Sequence, residues 1–147
     1  MSPLDRLKAF VWTCMTPVFP HLRNGLVRIR VLRHEFRQEF PIGRLAEGRT
    51  VESLREHLVQ THGFDKHVIA WIDQDEVLGM RKRVSFHWQY HLRVFRDGEV
   101  RGHYEWTPES RPLRHILEIG MEPRREVFLA FLGEWIVTGE ETHSVNA

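Results

Sequence analysis

His87, His91, His103, Glu105, Arg93 and Arg101 all fall within FHWQYHLRVFRDGEVRGHYEW, residues 86–106, and they carry the groups from which sites are built. Imidazole and carboxylate together ligate zinc or non-haem iron, or pass protons without a metal, while guanidinium groups hold anions. Whether these side chains meet depends on how the stretch folds back on itself.

Bulky apolar residues alternate with polar ones on both sides of Asp97-Gly98, the pattern of a hairpin with one buried face. A three-residue loop, Arg96-Asp97-Gly98, with Gly98 left-handed, sets Trp88 opposite Trp106, Tyr90 opposite Tyr104, Leu92 opposite Gly102 and Val94 opposite Val100. A two-residue turn would set Leu92 and Tyr90 against His103 and Glu105 instead, and such a slip sends a whole strand face to the wrong side. The apolar match selects the three-residue loop. On the other face His91 then opposes His103, Gln89 opposes Glu105, Arg93 opposes Arg101, and His87 lies diagonal to Glu105. Opposed Cβ atoms are roughly 5 Å apart, so His91, His103 and Glu105 converge on one point.

Two functions follow from this face. Arg93 opposite Arg101 is a like-charge pair that needs a neutralising partner, either Glu99 on the diagonal or a bound anion. Arg28 and Arg30 on a first strand, and Arg81, Lys82 and Arg83 leading into the hairpin, extend the basic surface. The reading placed first is therefore a small binding domain whose basic, histidine-rich sheet face takes nucleic acid or an acidic protein, with no cofactor. The competing reading is an enzyme acting on a small anionic substrate: His91, His103 and Glu105 hold zinc or iron or move protons, and Arg93 and Arg101 grip the substrate. Trp88, Tyr90, Tyr104 and Trp106 are read as core rather than as a base-stacking platform, because the register turns them toward the helices.

Composition narrows the classes. The chain has 147 residues, 41% hydrophobic, which suits one folded domain spanning 1–147. Cys14 is the only cysteine, so no intrachain disulfide or CxxC site is possible. No glycine-rich phosphate loop, GxSxG elbow or HExxH zinc helix occurs. The apolar run at 9–19 is short and interrupted by Pro17, which argues against a spanning helix or signal peptide, and a cytoplasmic location is expected. Net charge is +1, but its sign alternates: residues 22–49 carry seven arginines against three glutamates, while residues 102–147 carry four arginines against eight glutamates. Arginine outnumbers lysine eighteen to three, which suits bidentate anion contacts.

The elements that must position the face follow from periodicity. Ser2-Pro3 opens a helix over 2–16, with Leu4, Leu7, Phe10, Val11, Cys14 and Met15 on one side, which Pro17 and Pro20 stop. Packing on the domain is the first expectation for it, and a membrane-surface anchor with Arg6 and Lys8 as its basic flank is the alternative. Asn24-Gly25 reads as a turn before a strand containing Val27, Ile29 and Val31, with a further turn near 31–37. Thr50 caps a helix with a Val51, Leu54, Leu58, Val59 stripe, ended by Gly63, with Phe64 folding back onto Val59. Strands are expected at 68–72 and 77–86. A helix starting at Pro112 turns Leu113, Ile116 and Leu117 inward, and a last one after Pro123 carries Phe128, Phe131, Leu132, Trp135 and Ile136. The tail frays from about 139. The order predicts an α+β fold: an antiparallel sheet of about five to six strands with helices packed on one face.

Overall fold

The computed structural model describes residues 2–15, 17–29, 40–66 and 75–139. The elements are α1 (Pro3–Met15), α2 (Phe19–Arg28), β1 (Pro41–Leu45), α3 (Val51–His62), β2 (Asp65–Lys66), β3 (Glu76–Arg83), β4 (Trp88–Phe95), β5 (Glu99–Trp106), α4 (Pro112–Ile116), α5 (Arg125–Leu132) and β6 (Ile136–Val137). The strands form one six-stranded sheet in the order β2-β3-β4-β5-β1-β6, with every pairing antiparallel, so the fold is α+β as expected.

The hairpin has the anticipated register. Trp88 pairs with Trp106, Tyr90 with Tyr104, Leu92 with Gly102 and Val94 with Val100, and Gly98 adopts φ 84° while its N–H donates to Phe95 O. Only glycine takes that left-handed position without strain, and the bulge it makes matches the twist of the two strands.

Leu54 and Leu58 of α3 and Phe128 and Leu132 of α5 lie on one sheet face, against Met80, Leu92, Val94 and Val100. Burial of each such side chain stabilises by about 1.5–3 kcal/mol. α5 passes close over Gly102: a Cβ there would lie 2.7 Å from the Phe128 ring, and 2.8 Å from Ile42 Cδ1. The absent side chain is what lets the Phe128 ring rest on the strand.

The signals at both ends of α3 place its caps. The Thr50 hydroxyl accepts from Ser53 N–H, and the Ser53 hydroxyl in turn accepts from Thr50 N–H. At the other end Gly63, left-handed at φ 65°, donates its N–H to Val59 O and Phe64 N–H donates to Leu58 O, so these last-turn carbonyls are satisfied. Phe64, however, turns into the core edge-on to Phe131, and Val59 remains exposed.

Four expectations are corrected. Residues 19–28 are helical, not a turn and a strand: Pro20 sits in the first turn of α2, where its missing N–H costs nothing, and Asn24-Gly25 lies within the helix. None of the residues of α1 is buried. Leu113 and Leu117 point to solvent, since α4 is only five residues long and meets the domain through His115 and Ile116. Ile136 belongs to β6, paired with Leu45, because Gly133 at φ 49° ends α5 first. The strand at 68–72, the turn near 31–37, Arg30 and the tail beyond 139 lie outside the described residues.

Candidate functional site

The face of β3, β4 and β5 turned away from α3 and α5 is a grid of polar residues. Pairing aligns Arg83 with Gln89 and Glu105, Arg81 with His91 and His103, and Gly79 with Arg93 and Arg101, each across three strands. The grid is not an open surface. Gln89, Arg93, His103 and Glu105 are 3%, 8%, 8% and 4% exposed. Beyond β5, residues 107–110 fold across the end of the face, with Thr107 and Ser110 buried and the Ser110 hydroxyl donating to His87 O. Helix α4 then carries His115 onto the grid.

Glu105 is the hub. Its Oε1 accepts from Gln89 Nε2 at 2.7 Å, and its Oε2 lies 3.2 Å from both His103 Nε2 and His115 Nδ1. His91 Nδ1 stands 3.6 Å from Oε1, and its ring meets the His103 ring edge-on at 5.1 Å. Burial by itself would raise the Glu105 carboxyl, but the His115 and His103 imidazoles beside it hold it well below the usual carboxylate range. For His91 burial pushes the imidazole well below its ordinary value; Arg81, His103 and Arg93 push the same way, against the pull of Glu105. At neutral pH the cluster therefore presents an ionised carboxylate beside an uncharged His91 imidazole, the forms in which both groups bind metals.

His115 has a fixed tautomer. Its Nδ1 lies 3.1 Å from Trp106 O, which only accepts, and its Nε2 lies 3.4 Å from Arg81 NH2, which only donates. Nδ1 therefore carries the hydrogen and Nε2 receives one.

The arginines are withdrawn as well. Arg93 Nε is 3.6 Å from Glu76 Oε2, reached across Gly79, where an added Cβ would lie 2.6 Å from the Glu76 carboxylate. Glu99 does neutralise one member of the arginine pair, Arg101 on its own strand, from which it accepts at 2.6 Å; the partner expected for it was Arg93 on the diagonal. Burial pushes Arg81 down to about 10, against the pull of Glu105 and Glu109, so it remains a cation at neutral pH. Among the described residues its buried Nε–H has no hydrogen-bond acceptor. Arg83 sits at the rim, half-exposed, 2.6 Å from Glu109.

Of the residues singled out in the sequence, His91, His103, Glu105, Arg81, Arg93 and Arg101 come together on this face. Lys82 points to the other face and donates to His62 O at the end of α3. Arg28 lies exposed on α2, away from any strand, and His87 is an exposed residue edge-on to Trp106. The aromatics do lie on the helix side. Tyr104 is buried under the Arg124 guanidinium, while Trp88 and Trp106 are half-buried against each other, with Arg111 and Arg114 over Trp106. His115 was missed. It stands ten residues after Glu105 on a helix too short to show periodicity, and its only signal was the short tether between β5 and α4.

His91, His103 and Glu105 each offer a ligand atom, and these atoms lie within 4.8 Å of one another. With bonds of 2.0–2.2 Å, a tetrahedral zinc site spaces its ligand atoms about 3.4 Å apart. Glu105 approaches His103 through Oε2 at 3.2 Å and His91 through Oε1 at 3.6 Å, so each separation is near that edge but the two imidazoles meet different carboxylate oxygens. No protein-family model matches the chain, and it has no match among curated proteins or among solved structures.

Proposed function

We propose that the domain is a metal-dependent enzyme acting on a small anionic substrate, with zinc(II) or iron(II) held by His91, His103 and Glu105. The single observation that supports this most is the convergence of two imidazoles and one carboxylate on one buried sheet face. Two imidazoles and one carboxylate leave coordination positions for water and substrate. A divalent ion held by His91, His103 and Glu105 would supply a bound water acidified toward neutrality, the chemistry that hydrolysis needs.

Charge balance supports an anionic substrate. Arg81, Arg83, Arg93 and Arg101 are matched by Glu76, Glu99, Glu105 and Glu109 in the grid and at its rim. A divalent cation adds two uncompensated charges in a largely dry setting, and an anion removes them. The Arg81 Nε–H is placed to receive one. Gln89 and His115 orient Glu105 and so act as positioning residues.

The reading placed first from sequence, an open basic face for nucleic acid or an acidic protein, has less support, because Arg93 and Arg101 are withdrawn from solvent beside carboxylates. The two are separated by elemental analysis of protein purified without a histidine tag. Near-stoichiometric zinc or iron, lost in His91→Ala and His103→Ala while the fold persists, is the expected result. A metal-free protein that gains no thermal stability on titration with either ion would end the metal reading, and retention on heparin that weakens steeply with salt would favour the polyanion reading.

A further inference from the structure

Helix α1 has its apolar side outward, the reverse of a surface helix in a globular protein. Its half-buried residues are Asp5, Lys8, Ala9 and Trp12. Its apolar residues face out: Leu4, Leu7, Phe10 and Val11 are 60%, 57%, 67% and 51% exposed. At 100° per residue, Phe10, Cys14, Leu7, Val11, Leu4 and Met15 fill a continuous arc of roughly 140°. Lys8 borders the arc on one edge and Arg6 borders it on the other. Val18 and Leu22 continue the exposed apolar surface into α2. The helix start is well made, with the Ser2 hydroxyl accepting from Asp5 N–H and the Asp5 carboxylate accepting from Ser2 N–H.

We infer that α1, continued by the start of α2, is an interfacial anchor that lays this arc into an anionic lipid bilayer. Charge selects that occupant. Residues 2–29 carry Arg6, Lys8, Arg23 and Arg28 against Asp5 alone, a balance of +3. A second copy would bring an equal positive charge against the same face, whereas an anionic bilayer offers apolar depth for the arc and negative headgroups for its basic flanks. Long Arg6 and Lys8 side chains beside the arc can run up to the headgroups while their stems stay in the apolar layer. Among the described residues no helix is long and apolar enough to cross a membrane, so the contact is one of lying on the surface. The assignment is independent of the metal centre, which lies on another part of the fold.

Co-sedimentation of the full chain with vesicles tests it. Vesicles of phosphatidylcholine containing 30% phosphatidylserine should carry the protein down, phosphatidylcholine alone at least tenfold less well, and the double variant Leu7→Glu with Phe10→Glu should remain in the supernatant with both. Both residues are exposed, so the variant should keep the circular dichroism and melting of the parent. Absence of sedimentation with the anionic vesicles at low salt would overturn the inference. So would a concentration-dependent dimer that the same double variant abolishes, because the arc would then be a contact between copies.

Discussion

One face of the β4–β5 hairpin sets Leu92, Val94 and Val100 against α3 and α5; the other sets His91, His103 and Glu105 against a histidine from α4. Both are withdrawn from water, by different physics. Apolar burial is favourable by itself and indifferent to which hydrophobe supplies it, within the limits of volume. Burying carboxylates and guanidinium groups costs several kcal/mol per charge before pairing recovers it, and a well-packed apolar layer of the same volume is often the more stable choice. A protein that needed only stability would build both faces like the first. The second suits the metal chemistry proposed above, because in a dry place each charge acts more strongly than it does in water.

The largest effects should come from the apolar face. Phe128→Ala removes a fully buried ring that touches Gly102 and leaves a cavity between α5 and the sheet. It is expected to cost about 3–5 kcal/mol, read as a fall in the urea midpoint at unchanged slope. Metal content per folded molecule should be unaffected, since the ring lies across the sheet from Glu105. A loss of metal in a still-folded Phe128→Ala protein would mean that the two faces are not independent.

The polar face should be exposed by acid. In the chelator-treated protein, His91 is held below its ordinary value of 6.5 and Glu105 below its ordinary value of 4.5. Below each ordinary value the unfolded chain takes up a proton that the folded one refuses, so stability is full above about pH 6.5 and falls as pH drops. The slope should approach about 1.4 kcal/mol per pH unit from His91 alone, steepening below pH 4.5 as Glu105 adds a second proton. His91→Gln should flatten the upper limb and Glu105→Gln the lower. A urea midpoint constant from pH 7 to 5 would contradict the burial of an uncharged His91.

The apolar face was legible in the sequence because alternation is a periodic signal and register follows from matching two periodic strings. Trp88, Tyr90, Leu92 and Val94 against Trp106, Tyr104, Gly102 and Val100 admit one alignment, and it fixes the polar face too. That alignment by itself places His91, His103 and Glu105 side by side. What alternation does not encode is whether a polar face is covered. The coverage comes from residues 107–110 and from His115 on a five-residue helix, segments without periodicity. Short-range chemistry also misled where two readings competed: Asn24-Gly25 is a strong turn signal, yet Pro20 had already opened α2, and helix on either side outweighed the cost of about 1 kcal/mol for a glycine within it. In α1 the periodicity was right and only its destination was wrong, because an amphipathic stripe does not say whether protein or lipid will cover it.

The smallest effect should lie at the edge of the comparison, where the polar face meets water. The Arg83 side chain is 49% exposed, against 10% for Arg93 and 12% for Arg101, and its bond to Glu109 is solvated. Arg83→Ala should therefore change stability by no more than about 0.5 kcal/mol, since an exposed ion pair gains little over its hydrated ions. Under the metal-centre reading it should also leave metal content and heparin elution unchanged. Under the open basic face, Arg83 is the arginine of the grid best placed to touch a phosphate, and its loss should lower the salt at which the protein leaves heparin and reduce the salt slope by about one. One substitution that barely affects folding thus decides whether the charges of this face are spent on each other and an internal ligand, or offered to a partner outside.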